Sequence, residues 1–412
     1  MNKSPRLVAL ETLYSIFYDG SYSNIALDKA LSDIKENKAF ISALVYGVTE
    51  KKITLDYFID KYAQGRIKPK VRIVLWLGAY QLLFMDKVPS SASINESVKL
   101  VKEIKQDYYS KLVNAVLHKI DNDRQIPDDL SVKYSVPENL INMWKKQYGE
   151  DVLNEFLPCI NDKPPLFAIP NKKFVNSDEL LYELECDGIL GEAYDEFVLI
   201  ENANDLTASK AFKNGLFYIE DLSSFNCANA LDALSDDLVL DMCSAPGGKA
   251  FTISQRMNNR GKIYCYDLHE HRLNLIKSSA KRLSIDNIYT DVNDATVYNE
   301  NIPKADKILC DVPCSGFGII RRKPEIRYKD LDSVKDLPQI QYKILETSSR
   351  YLKDGGRIIY STCTLNKKEN ENVVNKFLKD HSGYKLLKEK TVFPSTVGGD
   401  GFYYAIMVKN EN

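Results

Sequence analysis

Two cysteines sit in short loops that follow apolar segments. Cys314 lies in Asp311-Val312-Pro313-Cys314-Ser315-Gly316, after Lys307 to Cys310, and Cys363 lies in Ser361-Thr362-Cys363-Thr364, after Arg357 to Tyr360. Each apolar segment reads as a buried parallel strand emptying into a loop. In an open α/β sheet the crevice beyond the carboxyl ends of the strands is where ligands bind, so thiols there are placed for covalent chemistry. A free cysteine is otherwise a small buried hydrophobe, and that is the reading for Cys159, Cys186, Cys227, Cys265 and Cys310, which lie in or beside apolar segments. An attacking thiol needs its pKa lowered by a nearby cation or a helix N-terminus. Lys249 is one such cation by type, a solvated or structural lysine being the alternative, and the residues alone do not say which thiol attacks.

A second constellation is the run Leu238 to Lys249, a strand that ends in Cys243-Ser244-Ala245-Pro246-Gly247-Gly248-Lys249 and opens a helix. Adjacent glycines let a backbone approach a ligand, and a helix N-terminus offers free N–H groups. The loop is neither GxGxxG nor a triphosphate-binding loop, because Ala250 follows Lys249 and the glycines lack their spacer. Asp267 ends the next strand, nineteen residues past Gly248, where a doubly wound fold places the acceptor for a ribose diol. Asp294 follows the third strand and could meet an adenine amino group or simply be solvated. Asp311 can accept from an amino group of a ligand or cap its strand end.

These residues require a regular frame. Beyond residue 235 the strand-like segments Leu238 to Met242, Lys262 to Asp267, Asn287 to Val292, Ala305 to Val312 and Gly356 to Ser361 alternate with helical ones, notably His271 to Leu283 and Leu337 to Leu352. That alternation predicts a parallel, doubly wound sheet, with Lys388 to Pro394 and Gly401 to Val408 adding an antiparallel hairpin at its edge. The first 120 residues read as a helical bundle: Ser4 caps a helix with Pro5 at its first position, and apolar periodicity recurs over Phe40 to Tyr62, Val71 to Met85, Ile94 to Ile104 and Tyr109 to Ile120. A polar stretch from Asp121 to Pro137 reads as a linker. After a helix over Glu138 to Leu157, strands at Leu166 to Ile169, Phe197 to Ile200 and Leu216 to Ile219, with a helix at Asp178 to Leu184, make a small α/β insert.

The bulk composition is that of a globular protein, 44% hydrophobic and 27% charged, and its 55 basic against 57 acidic residues predict nothing about partners. Four histidines and no CxxC pair argue against a zinc site. The longest apolar stretch, Val71 to Met85, is too short to span a bilayer. Free thiols and an amino terminus unlike a signal suggest a reducing cytoplasm.

The SAPGGK, DVPCSG and YSTCT loops, in that order, resemble the RNA 5-methylcytosine methyltransferases dependent on S-adenosylmethionine. Residues 40 to 118, with LVYGVTEKKITLDYFID, LLFMDKVPSSASINESVKL and LVNAVLHKI, resemble the NusB-like amino-terminal domain of the members that act on small-subunit ribosomal RNA. The resemblance implies an all-α NusB-like RNA-binding domain over 1–125, a linker helix with a small RRM-like α/β subdomain over 126–215, and a class I, Rossmann-like methyltransferase domain over 216–412. It implies a cofactor site of Cys243, Ser244, Ala245, Pro246, Gly247, Gly248, Lys249, Asp267, Asp294 and Asp311. It further implies that Cys363 is the nucleophile and Cys314 the residue that assists release, with Asp311 and Lys249 beside them. Val312 stands where alanine is commoner in the family, and Asn293 to Thr296 is one of several variants of its loop; neither removes a functional group. The implied partner is small-subunit (16S) ribosomal RNA, unassembled, met by a monomer without metal or membrane.

Two basic clusters could meet phosphates: Lys51, Lys52, Lys61, Arg66, Lys68, Lys70 and Arg72 in the helical domain, and Arg321, Arg322, Lys323 and Arg327, with Tyr328 and Lys329, just past Cys314. The first reads rather as a solvated helix face. Two other functions stay open on the sequence: methylation of transfer RNA or another RNA, and a non-catalytic RNA-binding or antitermination-type module on a methyltransferase scaffold.

Overall fold

The computed structural model describes residues 3–202, 206–395 and 398–411. The chain divides into two units, Met1–Asp162 with Ile320–Asp330, and Lys163–Ile319 with Leu331–Asn412.

The first unit is helical. Ser4 accepts from the backbone N–H of Leu7 and Pro5 opens the helix Pro5–Tyr18, whose Leu10 and Leu13 are buried. Helices Lys38–Tyr62, Pro69–Phe84 and Ser90–Glu103 pack against it, and Ser110–Asn122 packs on those three. Pro69–Phe84 buries residues on every face, from Val71 to Leu82, so the longest apolar run of the sequence is the central helix of this core. The helix Ser23–Leu31 was not expected, and only Ser23 and Leu27 of it are buried, too few for a periodic signal. The stretch read as a linker is docked: Leu130–Tyr134 forms a short helix, Thr54 donates to the Val132 carbonyl at 2.5 Å, and Ser135 accepts from Ile53 N–H at 3.0 Å.

The second unit contains two sheets. In the smaller, β1 (Leu166–Pro170), β2 (Gly191–Ala193), β3 (Val198–Ile200) and β4 (Phe217–Ile219) pair antiparallel in the order β2-β3-β1-β4. Helices Ser177–Cys186 and Lys210–Lys213 sit in the crossovers. The expected border at 215/216 falls just before β4, the strand that completes this sheet. β2 carries no apolar alternation, which is why the sequence hid it. The topology is that of an RRM, but both faces of the sheet are covered. Ala168, Val198 and Phe217 pack on Leu180 and Leu184, while Phe167, Ile169 and Tyr218 pack on Phe225 and Phe251. No face is left for bases to stack on, as they do on an RRM sheet.

The larger sheet comprises β5 (Leu238–Asp241), β6 (Lys262–Asp267), β7 (Ile288–Val292), β8 (Ala305–Asp311), β9 (Leu352–Thr362), β10 (Tyr384–Val392) and β11 (Phe402–Lys409) in the order β10-β11-β9-β8-β5-β6-β7. β5 to β9 are parallel, and β11 and β10 run antiparallel along one edge. Alternate residues face opposite helical layers: Val239, Leu309 and Ile359 meet Ile253 and Ile276, whereas Leu240, Ile308 and Ile358 meet Ile344 and Phe377. The chain enters at β5, winds out to β7 and returns to β8 on the other side of β5. The switch point between β5 and β8 opens a crevice at their carboxyl ends. Among the described residues no helix is long and apolar enough to cross a membrane, and no cluster of His, Cys, Asp and Glu is built to hold a metal ion.

Candidate active site

The loop after β5 turns at Gly247, whose φ of +106° and whose Cβ position, 2.8 Å from the Phe251 ring, leave room only for glycine. The Ala245–Pro246 peptide is cis, and the helix Gly248–Arg256 begins at the turn. Beside it lies a cavity of about 210 Å³ lined by Glu220, Asp221, Ser224, Asp241, Cys243 to Pro246, Gly248, Lys249 and Asp311. The predicted loop and two of the predicted polar residues therefore meet in one place.

Its electrostatics are unusual. Asp241 is 1% exposed and neither carboxylate oxygen has a hydrogen-bond partner. Burial pushes its carboxyl up to about 7, Asp311 adding to the effect while Lys249 opposes it. Glu220 accepts from Thr252 Oγ1 at 2.5 Å and is likewise pushed up to about 7, mainly by burial. The Lys249 ammonium donates to Asp311 Oδ2 at 2.7 Å and to Ser224 Oγ at 3.2 Å. Burial opposes its charge, but Asp311 above all keeps its pKa above the ordinary lysine value. Asp311 Oδ1 accepts from Ser361 at 2.8 Å. Four carboxyl groups and one ammonium thus line the cavity, an arrangement that favours a cationic ligand.

Asp267 is buried at the end of β6, where it accepts from His269 N–H at 3.1 Å and pairs with Arg272 at 3.1 Å. Asp294 is exposed beyond β7 and caps its own loop, accepting from Thr296 N–H and Oγ1 at 2.9 and 2.6 Å. Neither lines the cavity itself; each ends a strand on its β6–β7 side.

The parallel register pairs Asp311 of β8 with Ser361 of β9, so the loops that follow leave the sheet side by side. Their half-buried thiols meet, with Cys314 Sγ 3.3 Å from Cys363 Sγ. Cys314 is held well above the ordinary thiol pKa, first by the contact with Cys363, then by burial and by the charges of Glu369 and Asp311. The two thiols are thus coupled, and Cys314 is the one held protonated. Lys249, the cation that the sequence offers to a thiol, is committed to Asp311.

Several expectations are corrected here. Arg327 is fully buried in the first unit, donating to the carbonyls of Glu50 and Ser135 at 3.1 Å and to Asn161 Oδ1 at 3.0 Å. It cannot contact phosphate while those carbonyls hold it. Arg321 is 4% exposed, while Arg322, Lys323 and Lys329 of that cluster are half-exposed. In the helical unit Lys52, Arg72 and Lys61 are paired with Asp56, with Asp56 and Asp60, and with Asp123, which leaves less free positive charge than the composition suggests. Cys227, Cys265 and Cys310 are buried as expected, but Cys186 is exposed and Cys159 half-exposed. Conversely, Asp241 and Glu220 were missed, although a carboxylate closing a hydrophobic strand, as in Leu238 to Asp241, is itself a legible signal.

The chain matches a family described as 16S rRNA methyltransferase RsmB/F over residues 228–408, and the NusB family over residues 3–122. A Bacillus subtilis (strain 168) protein named "Probable ribosomal RNA small subunit methyltransferase B" is 33% identical over 98% of this chain and 99% of its own. The crystal structure of PH0851 covers 99% of this chain and 100% of that one with a TM-score of 0.82 at 27% identity. That of NSun6 from Pyrococcus horikoshii with SFG covers 67% and 99% with a TM-score of 0.61 at 21% identity, a likeness of fold.

Proposed function

The chain belongs to the 16S rRNA methyltransferase RsmB/F family, and we propose that it methylates carbon 5 of a cytidine in small-subunit ribosomal RNA through a covalent adduct on Cys363. The observation that carries this reading is the pair of sulfurs 3.3 Å apart at the ends of adjacent strands, beside the cavity. A methyl transfer to oxygen or nitrogen needs no thiol, whereas carbon 5 of cytosine is too weak a nucleophile unless a thiolate first adds to carbon 6.

S-adenosylmethionine, the methyl donor of such an enzyme, supplies an electrophilic methyl on a sulfonium. The residues present fit it: the cavity has an excess of carboxylates, the unpartnered Asp241 faces it, and Gly247 and Gly248 open the helix beneath it. A cytosine extruded from its strand would find Asp311 as acceptor for its amino group, with Lys249 and Ser361 fixing the carboxylate. Cys363 adds to carbon 6 and carbon 5 takes the methyl group. Once Cys363 is a thioether, the largest cause of the raised Cys314 pKa is gone, so the half-buried Cys314 can pass its proton to solvent and, as thiolate, take the one on carbon 5. The carbon–sulfur bond then breaks, the ring double bond reforms and Cys363 leaves as thiolate.

Bisulfite sequencing of small-subunit ribosomal and transfer RNA from a strain lacking the gene is expected to show one 5-methylcytidine lost from the ribosomal RNA. Loss confined to transfer RNA would reassign the substrate, and no loss in either would overturn the reading.

The buried carboxyls give a further expected result. Groups poised at about 7 are partly protonated at neutral pH, and a bound cation favours their charged forms. Binding of S-adenosylmethionine should therefore release protons, and its affinity should rise from pH 6 to 7 by about fivefold for each group that must ionise. Calorimetry in buffers of different ionisation heat measures both. Asp241→Asn should remove one group's share of the proton release; a flat affinity with no release would refute the assignment.

A further inference from the structure

Glu369 is buried, 0% exposed, in the turn that precedes the helix Glu371–Asp380, and no motif singles it out. Its carboxylate accepts from neutral donors on both thiol loops. From the Cys314 loop come the Ser315 backbone N–H at 2.9 Å and the Ser315 hydroxyl at 2.6 Å. Asn366, three residues past Cys363, donates at 2.8 Å. Gln341, from the helix Leu337–Ser349, donates at 2.9 Å and also binds the Pro313 carbonyl at 3.0 Å. Around this node the Ser315 hydroxyl meets Thr364 Oγ1 at 2.6 Å, Thr364 Oγ1 accepts from Phe317 N–H at 3.2 Å, and Tyr360 donates its hydroxyl to the Glu369 carbonyl.

A carboxylate taken out of water at this depth is costly unless its lone pairs are satisfied. Here they are satisfied by the residues adjoining the two sulfurs. A network of that kind is rigid because each member fixes the next, and it holds the two loops at a fixed separation.

We propose that Glu369 is a positioning residue that clamps the Cys314 loop to the Cys363 loop and so sets the distance between the sulfurs. This rests on the two-thiol reading of the site. It touches neither substrate nor cofactor: it does not line the cavity. Its charge also reaches Cys314, whose proton it helps to retain, so removing the charge has an effect on that thiol separate from any loosening of the loop.

The test compares the full-length wild-type protein with Glu369→Gln, Glu369→Ala and Gln341→Ala. Diamide, which takes up the two thiol hydrogens as the Cys314–Cys363 disulfide forms, reports sulfur proximity without any turnover. Cross-linking in Glu369→Ala is expected to slow by about tenfold or more and methyl transfer to fall by about 100-fold, the scale on which a misplacement of about 1 Å acts. S-adenosylmethionine affinity should be unchanged. Glu369→Gln keeps one acceptor oxygen and should lose less, and its Cys314 should be alkylated by iodoacetamide at lower pH than in the wild type. If Glu369→Ala fails to bind S-adenosylmethionine and so is misfolded, Glu369→Gln and Gln341→Ala decide by the same two readouts. Cross-linking and alkylation profiles like the wild type in the folded variants would overturn the proposal. Failure of the two-thiol reading would show instead as full turnover in Cys363→Ala, which leaves the Glu369 node in place.

Discussion

Replacing Cys363 by alanine is expected to abolish incorporation of a labelled methyl group into a small-subunit RNA transcript, a loss of at least about 10⁴-fold, the scale on which a lost nucleophile acts. The protein should still fold, because the side chain is half-buried and small, and should still bind S-adenosylmethionine, because Cys363 does not line the cavity. Those two controls separate a missing nucleophile from a damaged enzyme. The substitution also removes the main cause of the raised Cys314 pKa, so Cys314 becomes easier to ionise in the variant. A trace of activity that grows with pH would therefore mark Cys314 as a poor substitute nucleophile. Full turnover at neutral pH would sink the assignment of Cys363.

What the sequence disclosed about this site is what local pattern can carry. The strand-then-loop texture around Leu238 to Lys249, Ala305 to Cys314 and Arg357 to Cys363 fixes three neighbouring loops at one end of a parallel sheet, because parallel strands must all empty toward the same edge. That is enough to bring the glycine turn, Lys249, Asp311 and both cysteines together, and the structure does so. The apolar periodicity of the first 120 residues likewise predicts their helices, since each buries one face in a common core.

Contacts between distant segments left no such trace. Arg327 reads as a basic residue in a basic loop, yet its partners Glu50, Ser135 and Asn161 lie more than 160 residues away, and only that contact turns it from a surface charge into a buried donor. Glu369 reads as a polar residue ahead of a helix; its role is visible only once Ser315, 54 residues earlier, is seen to donate to it. Three strands of the small insert were legible, but β2 (Gly191–Ala193) and the covering of the second face by Phe225 and Phe251 were not. Fold order is written locally, whereas burial of charge is decided by which surfaces meet.

Replacing Cys314 by serine or alanine is expected to leave the enzyme trapped on its substrate, with a covalent protein–RNA adduct that survives denaturing electrophoresis. The attack by Cys363 does not need Cys314, so the adduct forms and the methyl group is transferred. Release does need a base near carbon 5. Serine fits the place of Cys314, but a hydroxyl is far harder to ionise than a thiol, so the isosteric variant should trap as firmly as alanine. Adduct should accumulate toward about one per enzyme, because each molecule completes the first half-reaction and no more. Omitting S-adenosylmethionine should reduce it, since without methylation Cys363 can simply leave again. The double variant Cys314→Ser, Cys363→Ala should form none, which identifies the attacking sulfur. If Cys314→Ser instead turned over normally, the base would have to be sought elsewhere, and the 3.3 Å sulfur contact would have to be explained by packing alone.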